Sequence, residues 1–136
     1  MAYTLKLEIV TPEAKVYSDD VDMVTLTGSE GEMGILPNHV PMMTQLVAGE
    51  IVARKGDDII FLAVGDGFVQ ITGDRVSVLT DMAIQADNID EAKVVEAQKR
   101  AEARLAEKLS DEESARVHAA LVHATTQLKV KQRRRK

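Results

Sequence analysis

The chain has 136 residues, enough for one ordinary domain or a small domain with an appendage; 45% are hydrophobic and 29% charged, a globular balance. With no Cys, disulfide scaffolds, thiolate zinc sites and cysteine nucleophiles are excluded; three histidines leave little for a histidine metal centre. No Trp, two Tyr and two Phe are too few for the aromatic platforms that stack single-stranded nucleic acid, so no nucleic-acid partner is expected.

The net charge of -5 hides an asymmetry. Residues 1–86 carry 5 basic and 13 acidic side chains, whereas residues 87–136 carry 12 basic and 9 acidic ones. Six of the basic groups lie in the last eight residues: Lys129, Lys131, Arg133, Arg134, Arg135 and Lys136. An acidic body with a basic end implies two segments that meet different surroundings. No apolar run approaches a membrane span, and Met1-Ala2-Tyr3-Thr4-Leu5-Lys6-Leu7-Glu8 lacks the basic start and apolar core of a signal peptide. A soluble chain that reaches a membrane only through a partner is expected.

From the start, the pattern has a period of two. Leu5-Lys6-Leu7-Glu8-Ile9 alternates, Val21 to Leu26 and Ile51 to Arg54 are β-rich, and Val76-Ser77-Val78-Leu79-Thr80 nearly alternates. Turn signals fall between them at Thr11-Pro12, Gly28-Ser29, Gly56-Asp57, Gly65-Asp66-Gly67 and Gly73-Asp74. Many short strands at close spacing predict an antiparallel sandwich or barrel over residues 1–87. The apolar run Ile59 to Val64 fits a strand covered on both sides, so one sheet face is expected to pack on a helix or a partner.

Residues 88–136 switch to the helical period. Asn88-Ile89-Asp90-Glu91 reads as a capping box that starts one helix, and Ser110-Asp111-Glu112-Glu113 as a second box that starts another. Val117, Leu121, Ala124 and Leu128 form one apolar stripe on the second helix. The prediction is a helical hairpin whose Ala-rich contact suits an element able to dock, open or change partners.

Candidate chemistry is sparse. Gly28 to Gly34 has the glycines of a phosphate loop but no Lys-Ser/Thr ending and no following helix, and its two carboxylates would repel phosphate. It reads as a sharp strand connection. His39 between Pro37 and Pro41 reads as a shaped loop, and no Ser or Thr has a base-and-acid partner in the pattern. His118 and His123 are five apart, the wrong helical spacing for a shared metal, and Asp19-Asp20-Val21-Asp22 lacks the spacing of a calcium loop. No metal and no catalytic residue is expected. The basic tail is open to three readings: an anionic surface of nucleic acid or lipid, an acidic protein, or simply a solvated chain end.

Thr27-Gly28-Ser29-Glu30-Gly31-Glu32-Met33-Gly34-Ile35-Leu36-Pro37-Asn38-His39-Val40-Pro41 resembles the signature of the epsilon subunits of bacterial F-type ATP synthases. Val10-Thr11-Pro12-Glu13, Gly65-Asp66-Gly67-Phe68, Val76-Ser77-Val78-Leu79 and Ile89-Asp90-Glu91-Ala92 match in order. The resemblance implies an α+β chain: a sandwich of about ten strands followed by the hairpin. It implies a non-catalytic central-stalk rotor part of the proton-translocating enzyme, at the cytoplasmic side of the bacterial inner membrane and attached there only through the complex.

The partners implied are the gamma subunit, the c-subunit ring, and the beta and alpha subunits of the catalytic head. Glu30, Gly31, Glu32, Met33 and Gly34 match the ring-facing loop, with Glu32 the main contact; Pro37, His39 and Pro41 shape their loop. The helices are implied to fold against the sandwich or to extend into the head and block hydrolysis, the basic tail then meeting an acidic segment of beta. Arg133-Arg134-Arg135-Lys136 departs from commoner endings. For a nucleotide site at the hairpin base, Ile89 and Asp90 match the family pattern and Arg100 stands at a plausible position. Lys93 and Val94, however, replace Arg and Ala, and Leu121 to Gln127 lacks the arginines. Weak ATP binding, or none, is the expectation. A nucleotide-sensing module and a binder of anionic surfaces remain as alternative readings.

Overall fold

The computed structural model describes residues 4–134. Ten strands come first: β1 (Leu5–Val10), β2 (Lys15–Val21), β3 (Met23–Gly28), β4 (Gly31–Ile35), β5 (Met42–Leu46), β6 (Gly49–Lys55), β7 (Asp58–Val64), β8 (Gly67–Thr72), β9 (Arg75–Thr80) and β10 (Ala83–Gln85). A 3₁₀ turn (Ala86–Asn88) leads to helices α1 (Glu91–Leu105) and α2 (Asp111–Arg134).

The alternation seen in the sequence becomes the inside and outside of one sheet folded over on itself. Leu5, Leu7 and Ile9 of β1 are sealed from water, as are Val24 and Leu26 of β3 and Val76 and Val78 of β9. The hydrogen-bonded order is β10-β7-β6-β3-β5-β8-β9-β1-β2, with β4 on the remaining edge of β3. Both halves of the path turn their apolar phase onto a single cluster, which is what makes it a sandwich. Side-chain links tie β2 back to β6: Lys55 pairs with Asp19 at 2.7 Å, and just beyond the two strands Asp22 accepts from the Gly56 amide at 2.7 Å.

The all-antiparallel expectation needs one correction. β1 runs parallel to β9, with Leu7 beside Val76 and Ile9 beside Val78; the other strand pairs described are antiparallel. Alternation fixes which face a residue takes but not the direction of a strand's neighbour. Here the two strands lie far apart in the chain, so no tight turn forces them antiparallel.

β7 is where the helices join. Leu62 and Val64 enter the sandwich core, while Ala63, also fully buried, faces the other way. It belongs to a second cluster with Ala86, Ile89, Val94, Ala124, Leu128 and Val130. The run expected to be covered on both sides is so only at Leu62–Val64, where the hairpin supplies the second cover; Ile59, at its start, stays exposed.

The second capping box forms as expected: Ser110 Oγ accepts from the Glu113 amide at 3.2 Å and donates to its carboxylate at 3.0 Å. The first does not. Ile89 is buried and extended (φ -79°, ψ 120°), so α1 starts two residues late, with Asp90 as its cap accepting from the Lys93 amide at 3.3 Å. Burying Ile89 overrides the local preference of Asn88.

Leu62→Ala should lower stability by about 2–5 kcal/mol in urea unfolding, because it opens a cavity in the sandwich. Ile59→Ala, on the same strand but 41% exposed, should stay within about 1 kcal/mol. Ser110→Ala should cost about 1 kcal/mol through the lost cap.

Candidate functional site

Three surfaces gather the residues that sequence reasoning singled out, together with some it missed. The first is the β3–β4 turn. Gly28 is registered with Gly31 and Thr27 with Glu32, so Ser29 and Glu30 form the tip and both carboxylates stand exposed. Gly31 closes the turn at φ +121°, a conformation that L side chains rarely adopt. The tip leans on the end of β5, the Ser29 amide donating to Gln45 O at 3.2 Å and the Val47 amide to Thr27 O at 3.0 Å.

Pro37, His39 and Pro41 lie beyond the other end of β4. Asn38 sits in the left-handed region (φ 67°) and its amide donates to Gly73 O at 2.9 Å, which pins this loop to the β8–β9 turn. The His39 imidazole is 2.7 Å from the next residue's carbonyl, Val40 O, a contact that shapes the loop. The structure thus sets Glu30 and His39 at opposite ends of β4, although they share one sequence motif. Among the described residues no three His, Asp or Glu side chains gather as a metal site would need.

The second surface is the outer face of β5, β8 and β9. Phe68 is registered with Leu79 on one side and Gln45 on the other, and Leu79 is also opposite Val10 across β1. Phe68 is 53% exposed and Leu79 58%, on strands whose other phase is buried, and Met43 is 67% exposed on β5, where only Leu46 of the other phase is buried. The signal was in the sequence as breaks in alternation: Phe68 beside Val69, and Leu79 beside Val78.

The third surface is the seam between hairpin and sandwich, where the basic end of α2 comes to rest. The His123 imidazole meets the Asp81 carboxylate at 3.1 Å, Lys131 Nζ donates to Ala86 O at 3.1 Å, and Arg133 lies 3.6 Å from Glu50. Gly65 is needed beneath His123, since a Cβ there would collide with Asp81 and come to 3.1 Å from the ring. Lys129 is exposed near the same seam, lining its cavity with Arg133; Arg135, Lys136 and the side chain of Arg134 lie outside the described residues. Glu50 was missed by sequence reasoning, because Gly49-Glu50-Ile51 reads as an ordinary strand start. Its carboxyl is mostly buried and its pKa is raised, first by that burial and then by Glu32, with Arg133 pulling the other way.

The nucleotide candidates are dispersed in role. Ile89 is core, and Asp90 is occupied as a helix cap. Lys93 and Arg100 are exposed and seven residues apart, on one face of α1. The face that α1 turns to α2 carries Gln98 instead, which donates to Thr125 at 3.2 Å.

Residues 4–86 match the family described as ATP synthase, Delta/Epsilon chain, beta-sandwich domain, and residues 87–132 match the ATP synthase, Delta/Epsilon chain, long alpha-helix domain. The chain belongs to the ATP synthase epsilon family. It is 48% identical to the ATP synthase epsilon chain of Dehalococcoides mccartyi over 97% of this chain and 95% of that one. It is 46% identical to ATP synthase epsilon chain 2 of Syntrophotalea carbinolica, over 96% and 95%.

Among solved structures, a chain of the Euglena gracilis mitochondrial ATP synthase shares the fold, with a TM-score of 0.72 at 21% identity over 90% of this chain and 78% of that one. A chain of the Tetrahymena thermophila mitochondrial ATP synthase central stalk and c-ring gives 0.57 at 11%, over 93% and 96%. Membership of the epsilon family makes the chain a non-catalytic part of a membrane-associated ATP synthase. Among the described residues no helix is long and apolar enough to cross a membrane.

Gly65→Ala should push Asp81 and His123 apart. We expect faster amide hydrogen exchange along α2 with strand amides unchanged, because the clash falls at the seam and not in the sandwich core.

Proposed function

We propose that this epsilon-family chain is a rotor part of the central stalk, passing rotation of the c-ring to the catalytic head, with the hairpin as a brake on ATP hydrolysis. The observation that carries this is the pairing of a stiff β body, apolar on one exposed face, with a hairpin held to it by a second, smaller core. A rigid sheet with Met43, Phe68 and Leu79 in water is suited to a lasting protein partner. We assign that face to the gamma subunit.

We assign the Glu30–Gly34 turn to the c-ring, with Glu32 as the main contact and Pro37, His39 and Pro41 as loop-shaping residues. The Euglena assembly contains F1 and the c-ring, which supports this reading. In the docked hairpin Lys131 and Arg133 are engaged on the sandwich; on release they, Lys129 and the tail beyond would meet acidic ground on the beta subunit, beside alpha. The brake thus exchanges one set of charge partners for another. We place the complex at the cytoplasmic side of a bacterial inner membrane. The cap role of Asp90 and the exposed positions of Lys93 and Arg100 support weak ATP binding or none.

The units used for the test are residues 1–87, sandwich, and 88–136, hairpin. Added to an epsilon-free catalytic complex, the whole chain should slow ATP hydrolysis, and the chain cut after Asp87 should bind without slowing it. If both bind and neither inhibits, the brake is wrong. Leu79→Ser should weaken binding to gamma at least tenfold while shifting stability by no more than about 0.5 kcal/mol, as expected of an exposed site. Glu32→Gln should lower hydrolysis-driven ion pumping with the urea midpoint unchanged; normal pumping would remove Glu32 from the ring contact.

A further inference from the structure

Glu50 is the second residue of β6, registered with Ala63 of β7, and its side chain reaches the seam under the last turns of α2. The side chain is 10% exposed, and Oε2 is buried with no hydrogen-bond partner. Oε1 lies 3.6 Å from Arg133, an ionic contact too long for a strong hydrogen bond. Both residues line a half-open pocket of about 410 Å³, with Gly49, Thr126, Lys129 and Val130 among its other walls. The charged groups facing Glu50 are Arg133 and Lys129 from α2 and Glu32 from β4; its β7 neighbour, Ala63, brings none. The Arg133 side chain is 71% exposed, so much of its charge is spent on water.

We propose that Glu50 is a proton-operated latch for the hairpin: docking α2 over it favours the neutral carboxyl, and rising pH weakens the hold. A mostly buried carboxylate with one oxygen unpartnered opposes docking, and a neutral carboxyl opposes it less. When α2 lifts away, Glu50 returns to solvent and the opposition disappears. The raised pKa of the buried group agrees with this geometry. Because the docked value lies above the undocked one, docking is strongest below the ordinary carboxylate range. It weakens as pH rises to the docked value and levels off above it. Above the docked value the latch is set toward release, and the hairpin stays down on its apolar contacts and its other polar ones.

This latch rests on the proposed brake only for its use. Docking is measured on the whole chain alone, so failure of the brake in the catalytic complex is a separate result. The protein has no Cys, so Gln70→Cys and His118→Cys give a unique donor–acceptor pair across sandwich and hairpin. Between pH 4 and 8 the docked-to-released ratio should fall roughly tenfold for each pH unit by which docking lifts the Glu50 pKa. Glu50→Gln should raise the ratio at pH 7 toward its acid value and remove that fall.

A lower docked ratio in Glu50→Gln at pH 7 would make the Arg133 pair a net attraction and overturn the proposal. So would a pH response that survives Glu50→Gln and vanishes in His123→Gln, which assigns the proton to the His123–Asp81 pair. As a second measurement, the Glu50 carboxyl carbon should titrate higher in the docked chain than in Leu128→Asp, where the hairpin is dislodged. Equal titration in the two overturns the latch.

Discussion

Leu62 and Val64 point into the sandwich and Ala63 points away from it, and all three are fully shielded from solvent. A single strand buried on both faces is the constraint that joins the two halves of the chain. Without the helices, the Ala63 face of β7 would lie in water with Phe61 and Ile84 beside it. Without the sandwich, Leu128 and Val130 would lose the Ala63 and Ala86 side of their cluster. Each half supplies the nonpolar surface the other lacks, and the hydrophobic effect makes the contact without requiring any special polar geometry.

The two cores differ in kind. The sandwich cluster is built of Leu, Ile and Val over most of the sheet, whereas the hairpin's cluster has three alanines among its seven buried members. Small side chains let the backbones approach closely but bury little area apiece, so the hairpin is the less strongly held of the two. Around this modest core lie the contacts of His123 with Asp81, Lys131 with a backbone carbonyl, and Arg133 with Glu50. An acidic body and a basic end, visible as an asymmetry of composition, meet across the seam, where the burial of Glu50 works against its attraction to Arg133.

The same arrangement brings distant parts of the molecule into electrical contact. Glu32, in the strand that follows the tip of the β3–β4 turn, is close enough to push up the pKa of Glu50, which in turn faces the end of α2. The influence of Glu32 on Glu50 comes after those of burial and Arg133. No conformational wire is required, only proximity in a region from which water is partly excluded.

Much of this was legible in the sequence. The period-two runs, the glycine turns, the capping box at Ser110 and the double cover of the second half of the Ile59–Val64 run all rest on local rules that the chain obeys locally. The motif from Thr27 to Pro41 pointed to the family and through it to the candidate surfaces. The parallel pairing of β1 with β9 was not legible, because alternation carries no information about direction. The late start of α1 was hidden for another reason: burial of Ile89 against α2 outweighs the capping preference of Asn88.

Glu50 shows the limit most plainly. In the sequence it is an acidic residue at a strand start, like many that face water. Only the return of the chain some 80 residues later, with Arg133 and Val130 above it, makes it a buried carboxyl. The sequence by itself determined the elements, their buried faces and the two-part plan, since these follow from residue type and short spacing. The tertiary structure alone decided strand direction, the exposed apolar face as one continuous surface, and the charges that meet across the seam, because desolvation and Coulomb energy depend on distances that the chain acquires only by folding.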